Sequence, residues 1–597
     1  MKMKTIYMLL AVICLLAMIT GCSSSATNTQ TTGMEKAGQG NGKIAVNLNW
    51  GTTAKSTGKT VLSAPSGVAT VRIIISWPGF VQPLQKDFIA ASGSGAIDGV
   101  PAGSLRTLTA QGLDASGTVL YQGTAAYITV QAGQTTDAGT IAMMTNLMGS
   151  FRGSIVLGSP TYTSIQASIF SQDQGGKVYI AYGKSTGTYD KQTATSTLST
   201  GQPLRLALDG LIPDTQYYYR LYFQPSGAGS FFPTGEFSFH TARPSGSTFT
   251  FTVQADSHLD ENSDPDIYRQ ALANVLDDKP DFHVDLGDTF MCEKHSAPLT
   301  ATVKAASDQA TVVARYRYDR SYFANVARSA PLFLVNGNHE GEAGWLADGT
   351  ANNIAIWTTL ARQLYFLNPV PDSFYSGDSL EEAFVGKRAS WYAWQWGDAL
   401  FIVLDPFWYS KTQSSRDPWA MTLGDSQYSW LQSTLAASTA KFKFVFIHNM
   451  VGGLDGQMRG GIEAAPYFEW GGRNLDGTDV FSQKRPGWSK PIHQLLVQYG
   501  VTAVFHGHDH IYAKQNLDGI VYQEVPQPSA LNSQSGSILA TEYHYASGTI
   551  LSSSGHMRVT VSPAKVTAQY VRAWLPKNET TQRKNGQVDD SWSIYAP

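Results

Sequence analysis

Metal-binding side chains recur in this chain at one structural position, just after an apolar run, and that recurrence constrains the fold more than any other feature. The runs at 248–255, 282–286, 332–335, 400–404, 442–447 and 501–505 are short, apolar and separated by turn residues, the pattern of buried β-strands. Among them stand Asp256-Ser257-His258, Gly287-Asp288, Gly337-Asn338-His339-Glu340, His448-Asn449 and Gly507-His508-Asp509-His510. Helices fit between several runs, most clearly at 426–435 and 490–499, the second closed by Gly500. Strands alternating with helices argue an α/β domain, in which the carboxyl ends of strands converge on one edge. One site assembled from five loops is therefore expected.

The residue types suit each other. Carboxylate, imidazole and amide oxygen fit borderline or hard divalent and trivalent cations, and one Asp can bridge two ions through its two oxygens. Seven such ligands can serve two metals.

The rest of the chain reads differently. Its 597 residues leave room for about three to five domains. With 43 Lys+Arg against 46 Asp+Glu and no long basic run, it lacks the charge that holds a phosphate backbone, so no nucleic-acid polymer is expected as a partner. Lys2 and Lys4 precede an apolar run over 6–19, short for the roughly 20 residues of a membrane-spanning helix, which reads as an export signal. The run ends at Ile19-Thr20-Gly21-Cys22, which resembles the lipobox of bacterial lipoproteins. That resemblance implies removal of a signal peptide 1–21 and lipidation of Cys22. The mature protein would then be exported and anchored to a bacterial membrane, at the outer membrane and periplasm or the cell surface. Cys292 would remain as its one free thiol, so no intrachain disulfide is expected.

Residues 22–42, rich in Ser, Thr, Asn, Gln and Gly, read as a flexible linker. From 43 to 145, alternating runs such as Ile44-Ala45-Val46-Asn47-Leu48 predict a β-sandwich module with no cluster of chemical groups. The same texture returns over 150–243, where Leu211 to Arg220 resembles the approach to strand F of fibronectin type III domains. Tyr217 would then be a tyrosine corner, its phenol bonded to upstream backbone. The α/β domain is placed at 247–572 and a C-terminal tail at 573–597.

The series D-x-H, G-D, G-N-H-E, H and G-H-x-H, in that order over about 248–572, resembles the calcineurin-like metallophosphoesterase superfamily. The resemblance implies a four-layer αββα sandwich, so the whole is a multidomain chain with two β-sandwich modules before a metallophosphoesterase domain. It implies a first metal held by Asp256, His258 and His510 and a second by Asn338, His448 and His508, with Asp288 bridging. His339 would lie beside the metals as the catalytic proton donor. The activity implied is hydrolysis of small phosphomonoesters by a metal-bridging hydroxide. A phosphodiesterase or nucleotidase of the same family, or a non-catalytic envelope-binding protein, are the alternatives.

A fibronectin-like module before the catalytic domain is similar to the purple acid phosphatase arrangement. Those enzymes carry an iron-binding Tyr three residues after the bridging Asp, where this chain has Met291, and they lack the His seen at 258. A purple colour is therefore not expected, and Fe, Zn or Mn all fit the pair of sites. Loops 293–330, 340–390 and 451–489 are expected to form the substrate rim. His295, Arg362 and Arg459 are conceivable phosphate clamps, whereas His506, Cys292 and the group Trp391, Tyr392, Trp394 and Trp396 read as buried structural residues.

Overall fold

Alternation of buried and exposed side chains builds the first two blocks of the chain. The computed structural model describes residues 40–597 apart from 51–63, 66, 78–82, 91–93, 116, 118, 146–150, 297–298, 301, 414–415 and 453–458. The expected signal peptide, Cys22 and all but the end of the linker lie outside the described residues, and Asn41 and Gly42, expected as linker, already begin a strand. Among the described residues no helix is long and apolar enough to cross a membrane.

In the first block, Val71, Ile73 and Ile75 alternate with less buried neighbours along Thr70–Ser76, as a half-covered strand requires. That strand belongs to a five-stranded sheet facing a three-stranded one built around Asn41–Asn49, and Ile44, Val46, Ile73, Ile75 and Leu108 share the core. The second block repeats the plan, with Ser154–Gly158, Ser164–Phe170 and Leu204–Asp209 in one sheet and Gly176–Gly183 and Gln216–Pro225 central to the other. Tyr217 is buried, its phenol accepts the Ile212 N–H at 3.0 Å, and its ring stacks on Phe239. The hydroxyl thereby pins the chain entering the strand.

In the third block two sheets pack face to face. We number its strands β1 Phe249–Gln254, β2 Phe282–Asp285, β3 Leu332–Leu334, β4 Ser376–Gly377, β5 Tyr392–Trp396, β6 Ala399–Val403, β7 Phe442–Phe446, β8 Ala503–His506, β9 Tyr512–Leu517, β10 Ile520–Glu524, β11 Thr549–Leu551, β12 Gly555–Val561, β13 Lys565–Arg572 and β14 Val588–Tyr595. One sheet runs β3-β2-β1-β12-β13-β14 and the other β4-β5-β6-β7-β8-β10-β9-β11. β1 to β3 are mutually parallel, as are β6, β7, β8 and β10. Phe251, Phe282, Phe401, Phe446 and Phe505 from both sheets fill the space between them. Helices α1 Pro265–Asp277, α2 Gln309–Ala327 and α3 Ile354–Tyr365 accompany the first sheet. Helices α4 Gly424–Ala437 and α5 Ile492–Gln498 bury Leu431, Leu435, Leu495 and Leu496 on the second. The six expected strands and two expected helices appear within two residues of the sequence boundaries.

The expected tail 573–597 is a correction. It supplies β14, paired with β13, and Trp592 reaches the inter-sheet core and donates to Gln523 Oε1 on β10 at 2.8 Å. Only Trp592 among the large residues of β14 is buried, and its immediate neighbours are serines, so the sequence signal of a strand is weak there. Trp592→Ala is expected to destabilise the catalytic block by about 3–5 kcal/mol, the range for an emptied aromatic site. A lowered denaturation midpoint with little change in the tyrosine-corner block would show it.

Candidate metal centre

Each expected ligand leaves the carboxyl end of a strand on a tight turn. Asp256 and His258 follow β1, Asp288 follows β2, Asn338 follows β3, His448 follows β7, and His508 and His510 follow β8. Asp256, His258, Asp288, His508 and His510 have φ of 60°, 50°, 53°, 83° and 59°, a left-handed backbone that costs side-chain-bearing residues roughly 1–3 kcal/mol each. The turns persist because they lace one another. Asp256 N–H donates to Gly287 O (2.9 Å), His258 N–H to Asp288 O (3.0 Å) and Gly507 N–H to His448 O (2.8 Å). Two glycines allow the close approach: a Cβ on Gly507 would sit 2.5 Å from Asp256 Oδ2, and one on Gly337 would sit 2.3 Å from Asp288 Oδ1.

The carboxylates are aimed by their outer oxygens. Asp256 Oδ2 accepts the His508 N–H at 2.8 Å, which leaves Oδ1 3.7, 3.6 and 3.9 Å from Nε2 of His258, His510 and His448. Asp288 Oδ1 accepts the His339 N–H at 2.8 Å, and Oδ2 lies 3.2 Å from His448 Nε2 and 3.8 Å from His258 Nε2. His448 Nδ1 faces Leu286 O at 3.0 Å, which can only accept, so Nδ1 carries the proton and Nε2 points inward.

The ligand atoms fall into two groups, Asp256, His258 and His510 beside Asp288, His448 and His508, each within 4.8 Å. Asp256 Oδ1, His258 Nε2, Asn338 Oδ1 and His448 Nε2 are buried without a hydrogen-bond partner. Buried polar atoms are normally satisfied, and several converging on one spot fit cations as the missing partner.

Electrostatics agree. Burial disfavours charge on His258, yet the Asp256, Asp260 and Asp288 carboxylates outweigh it and raise the imidazole to about 10. Burial likewise opposes charge on His448, and Asp288 and Asp256 raise it to about 9. Burial lowers His510 to about 3 and holds His508 well below its usual range, so both offer lone pairs. His339 stands just outside the groups, with Nδ1 3.4 Å from Glu293 Oε2 and its ring 6.0 Å from that of His258. Burial pulls it down, but Asp288 and Glu293 dominate and its pKa is raised.

Three supporting residues had no role in the sequence reading. Glu340 accepts backbone N–H bonds from Asp288 (2.9 Å), Thr289 (2.7 Å), Phe290 (3.1 Å) and Gly337 (2.5 Å), so one carboxylate ties two ligand loops. Arg315, fully buried on α2, donates to the carbonyls of His258 and Thr289 and to Asp319 Oδ2 (2.8 Å). The Glu293 contact to His339 is the third. Glu340 stood inside a quoted motif, whereas an arginine on a helix carries no signal of burial. The conceivable phosphate clamps are engaged elsewhere: Arg362 is buried against Glu342, Arg459 donates to Asp509 Oδ1 and His508 O, and His295 is buried. His506 is buried with Nδ1 2.6 Å from Glu524 Oε2, and Cys292 is buried. The aromatic group is core, Trp394 stacking on Phe333 at 4.1 Å.

Residues 249–512 match the family model described as calcineurin-like phosphoesterase. The chain carries a calcineurin-like phosphoesterase domain. It is thus a metal-dependent phosphoester hydrolase. Among solved structures it is similar to PhoD, at 15% identity over 74% of this chain and 90% of that one with a TM-score of 0.52, a likeness of fold. A purple acid phosphatase from yellow lupin (Lupinus luteus) seeds aligns at 13% identity over 93% of this chain and 96% of that one, with a TM-score of 0.49. No curated protein matches the chain by sequence.

Two outcomes are expected at this centre. Glu340→Gln places an amide N–H₂ against backbone N–H donors, and cation affinity should fall about 10- to 100-fold in a metal titration. Because His258 and His448 titrate at about 10 and about 9 without cations, both are protonated at neutral pH and must lose that proton to bind metal. Affinity should therefore rise from pH 6 to pH 8 with release of about two protons per metal pair, read by calorimetry in buffers of different ionisation enthalpy.

Proposed function

We propose that the protein is an exported, lipid-anchored phosphatase that hydrolyses small phosphomonoesters at a two-metal centre. The observation that carries the chemistry is the convergence of partnerless buried ligand atoms from both sheets, with His339 alongside. Asp256, His258 and His510 would hold one cation, Asn338, His448 and His508 the other, and Asp288 would serve both. Fe, Zn and Mn each suit this mixed oxygen and nitrogen set. When bound, the pair supplies a water-derived nucleophile at neutral pH and neutralises phosphoryl oxygens.

The chain's own part is positioning and proton delivery. His339, with Glu293 behind its Nδ1, presents a raised-pKa imidazole that donates a proton to the departing oxygen. Glu340, Arg315 and the laced turns keep the ligands in place, so little reorganisation is needed as charge develops. The export and anchoring part of the reading is supported by the apolar run at 6–19 and by Ile19-Thr20-Gly21-Cys22. The block at 150–243 is read as fibronectin type III-like on the strength of its tyrosine corner.

The deciding experiment uses the protein starting after Cys22, with an aryl phosphate monoester and the matching diester. Monoester turnover should dominate, vanish on chelation and return with metal, and diester preference would mark a phosphodiesterase instead. His339→Ala should lower kcat by about 10²–10⁴, most for poor leaving groups, while cation binding persists. In cells, Cys22→Ser should move the protein from the membrane fraction to the soluble one, and unchanged membrane retention would remove the anchor.

A further inference from the structure

The tyrosine-corner block docks on α2 through arginines that have no counter-charge. Arg320 is fully buried, and its guanidinium donates to Ser154 Oγ (2.8 Å), Ser168 O (2.7 Å) and Tyr365 O, all neutral acceptors. Arg317 donates to the Tyr365 phenol (2.8 Å) and Gly201 O (2.9 Å), again neutral. Arg328, at the helix end, lies over the Phe237 ring at 5.1 Å. Among the described residues none of these three forms an ion pair with a carboxylate. Burial alone pulls Arg320 down to about 9.

Helix geometry makes the three a group. At about 100° per residue, positions 317, 320 and 328 fall within about 80° of arc, opposite Arg315, which serves the metal loops. A desolvated charge without an opposite charge is unfavourable, and proteins normally pair it.

Arg320 itself is enclosed, but its half-buried neighbours Arg317 and Arg328 face a place where an anion can enter. Between α2 and the β block opens a cleft of about 730 Å³, lined by Arg317 and Arg328, by the rings of Phe151, Phe170 and Tyr318, and by no Asp or Glu. Its size is that of a small-ligand pocket. Ser154, which anchors Arg320, is part of the wall. Arg152 at the rim already pairs with exposed Asp173 at 3.0 Å, so the net positive charge belongs to the helix side.

We propose that this cleft binds a small organic oxyanion bearing a flat ring, the arginines taking the anionic group and the aromatic walls the ring. Guanidinium groups match the oxygens of phosphate, phosphonate or carboxylate in forked geometry, and ring faces add stacking area. The site is separate from the metal centre and does not depend on the activity proposed there.

Phenylphosphonate is a suitable probe, since its carbon–phosphorus bond is not an ester. Calorimetric titration of the metal-loaded protein is expected to give two equivalents bound, one at the metals and one in the cleft. In Arg328→Gln and in Arg317→Gln the cleft equivalent should weaken roughly tenfold or more, and in Arg328→Gln, which leaves the Arg317 bonds to Tyr365 and Gly201 in place, aryl phosphate turnover should be unchanged. If the metal centre fails to take the probe, wild type binds one equivalent and both variants lose it, so the two failures read differently. Equal stoichiometry and affinity in wild type and both variants overturns the proposal.

Discussion

Two fully buried carboxylates, Asp256 and Asp288, share the imidazoles of His258 and His448 at the junction of the two sheets, and the catalytic block is organised around holding them there. Like charges in a dry place repel, and water cannot screen them. The protein has only two answers of its own. One is to spend the outer oxygen of each carboxylate on a backbone N–H, from His508 and His339, which fixes orientation and leaves one oxygen per residue aimed inward. The other is to charge His258 and His448, which cations would replace.

This arrangement explains why the surroundings look costly. Five ligand residues adopt left-handed backbone, and Arg315, Asp319, Glu340 and Asp285 are ionisable groups buried close by. Burial raises Asp285 to about 8 and Asp319 to about 7, so the acids farther from the cations stay neutral more readily than Asp256 and Asp288, both held low. Charge is thus concentrated where metal would meet it. The sandwich supplies the rigidity: phenylalanines from both sheets interlock, and Trp592 and Tyr512 bind β14 across them through Gln523 and Asp590.

What the sequence reveals follows from how local each feature is. A ligand must be a particular residue at a strand end, so Asp256, His258, Asp288, Asn338, His448, His508 and His510 could be read one by one, and the structure gathers Asp256, His258 and His510 in one cluster and Asp288, His448 and His508 in another. Arg315 was not, because its role lies in two backbone carbonyls that sequence does not display, and an Arg–Asp pair four residues apart on a helix looks the same on a wet surface. Glu293 shares this problem, since its closeness to His339 depends on how two loops meet. β14 was missed because its alternation is short: only Trp592 and Ile594 turn inward, beside serines, on an edge strand that carries Asp589 and Asp590 near its start.

Helix α2 connects these observations. One face sends Arg315 into the turns that carry His258 and Asp288, and the other sends Arg320 into Ser154 and Ser168 of the tyrosine-corner block. Further bonds cross the same boundary, from Tyr219 to Arg328 O (2.7 Å), from Ser159 to Leu367 O (2.8 Å) and from Arg205 to Gln363 O. Val156 and Phe170 of the β block share an apolar cluster with Phe290 and Tyr316, and Phe290 lies two residues beyond Asp288. A chain lacking this block would expose that apolar surface and leave Arg320 without two of its three acceptors. The module is therefore part of what keeps the second ligand loop in position, and a spacer that merely carried the enzyme away from a membrane would need none of these contacts.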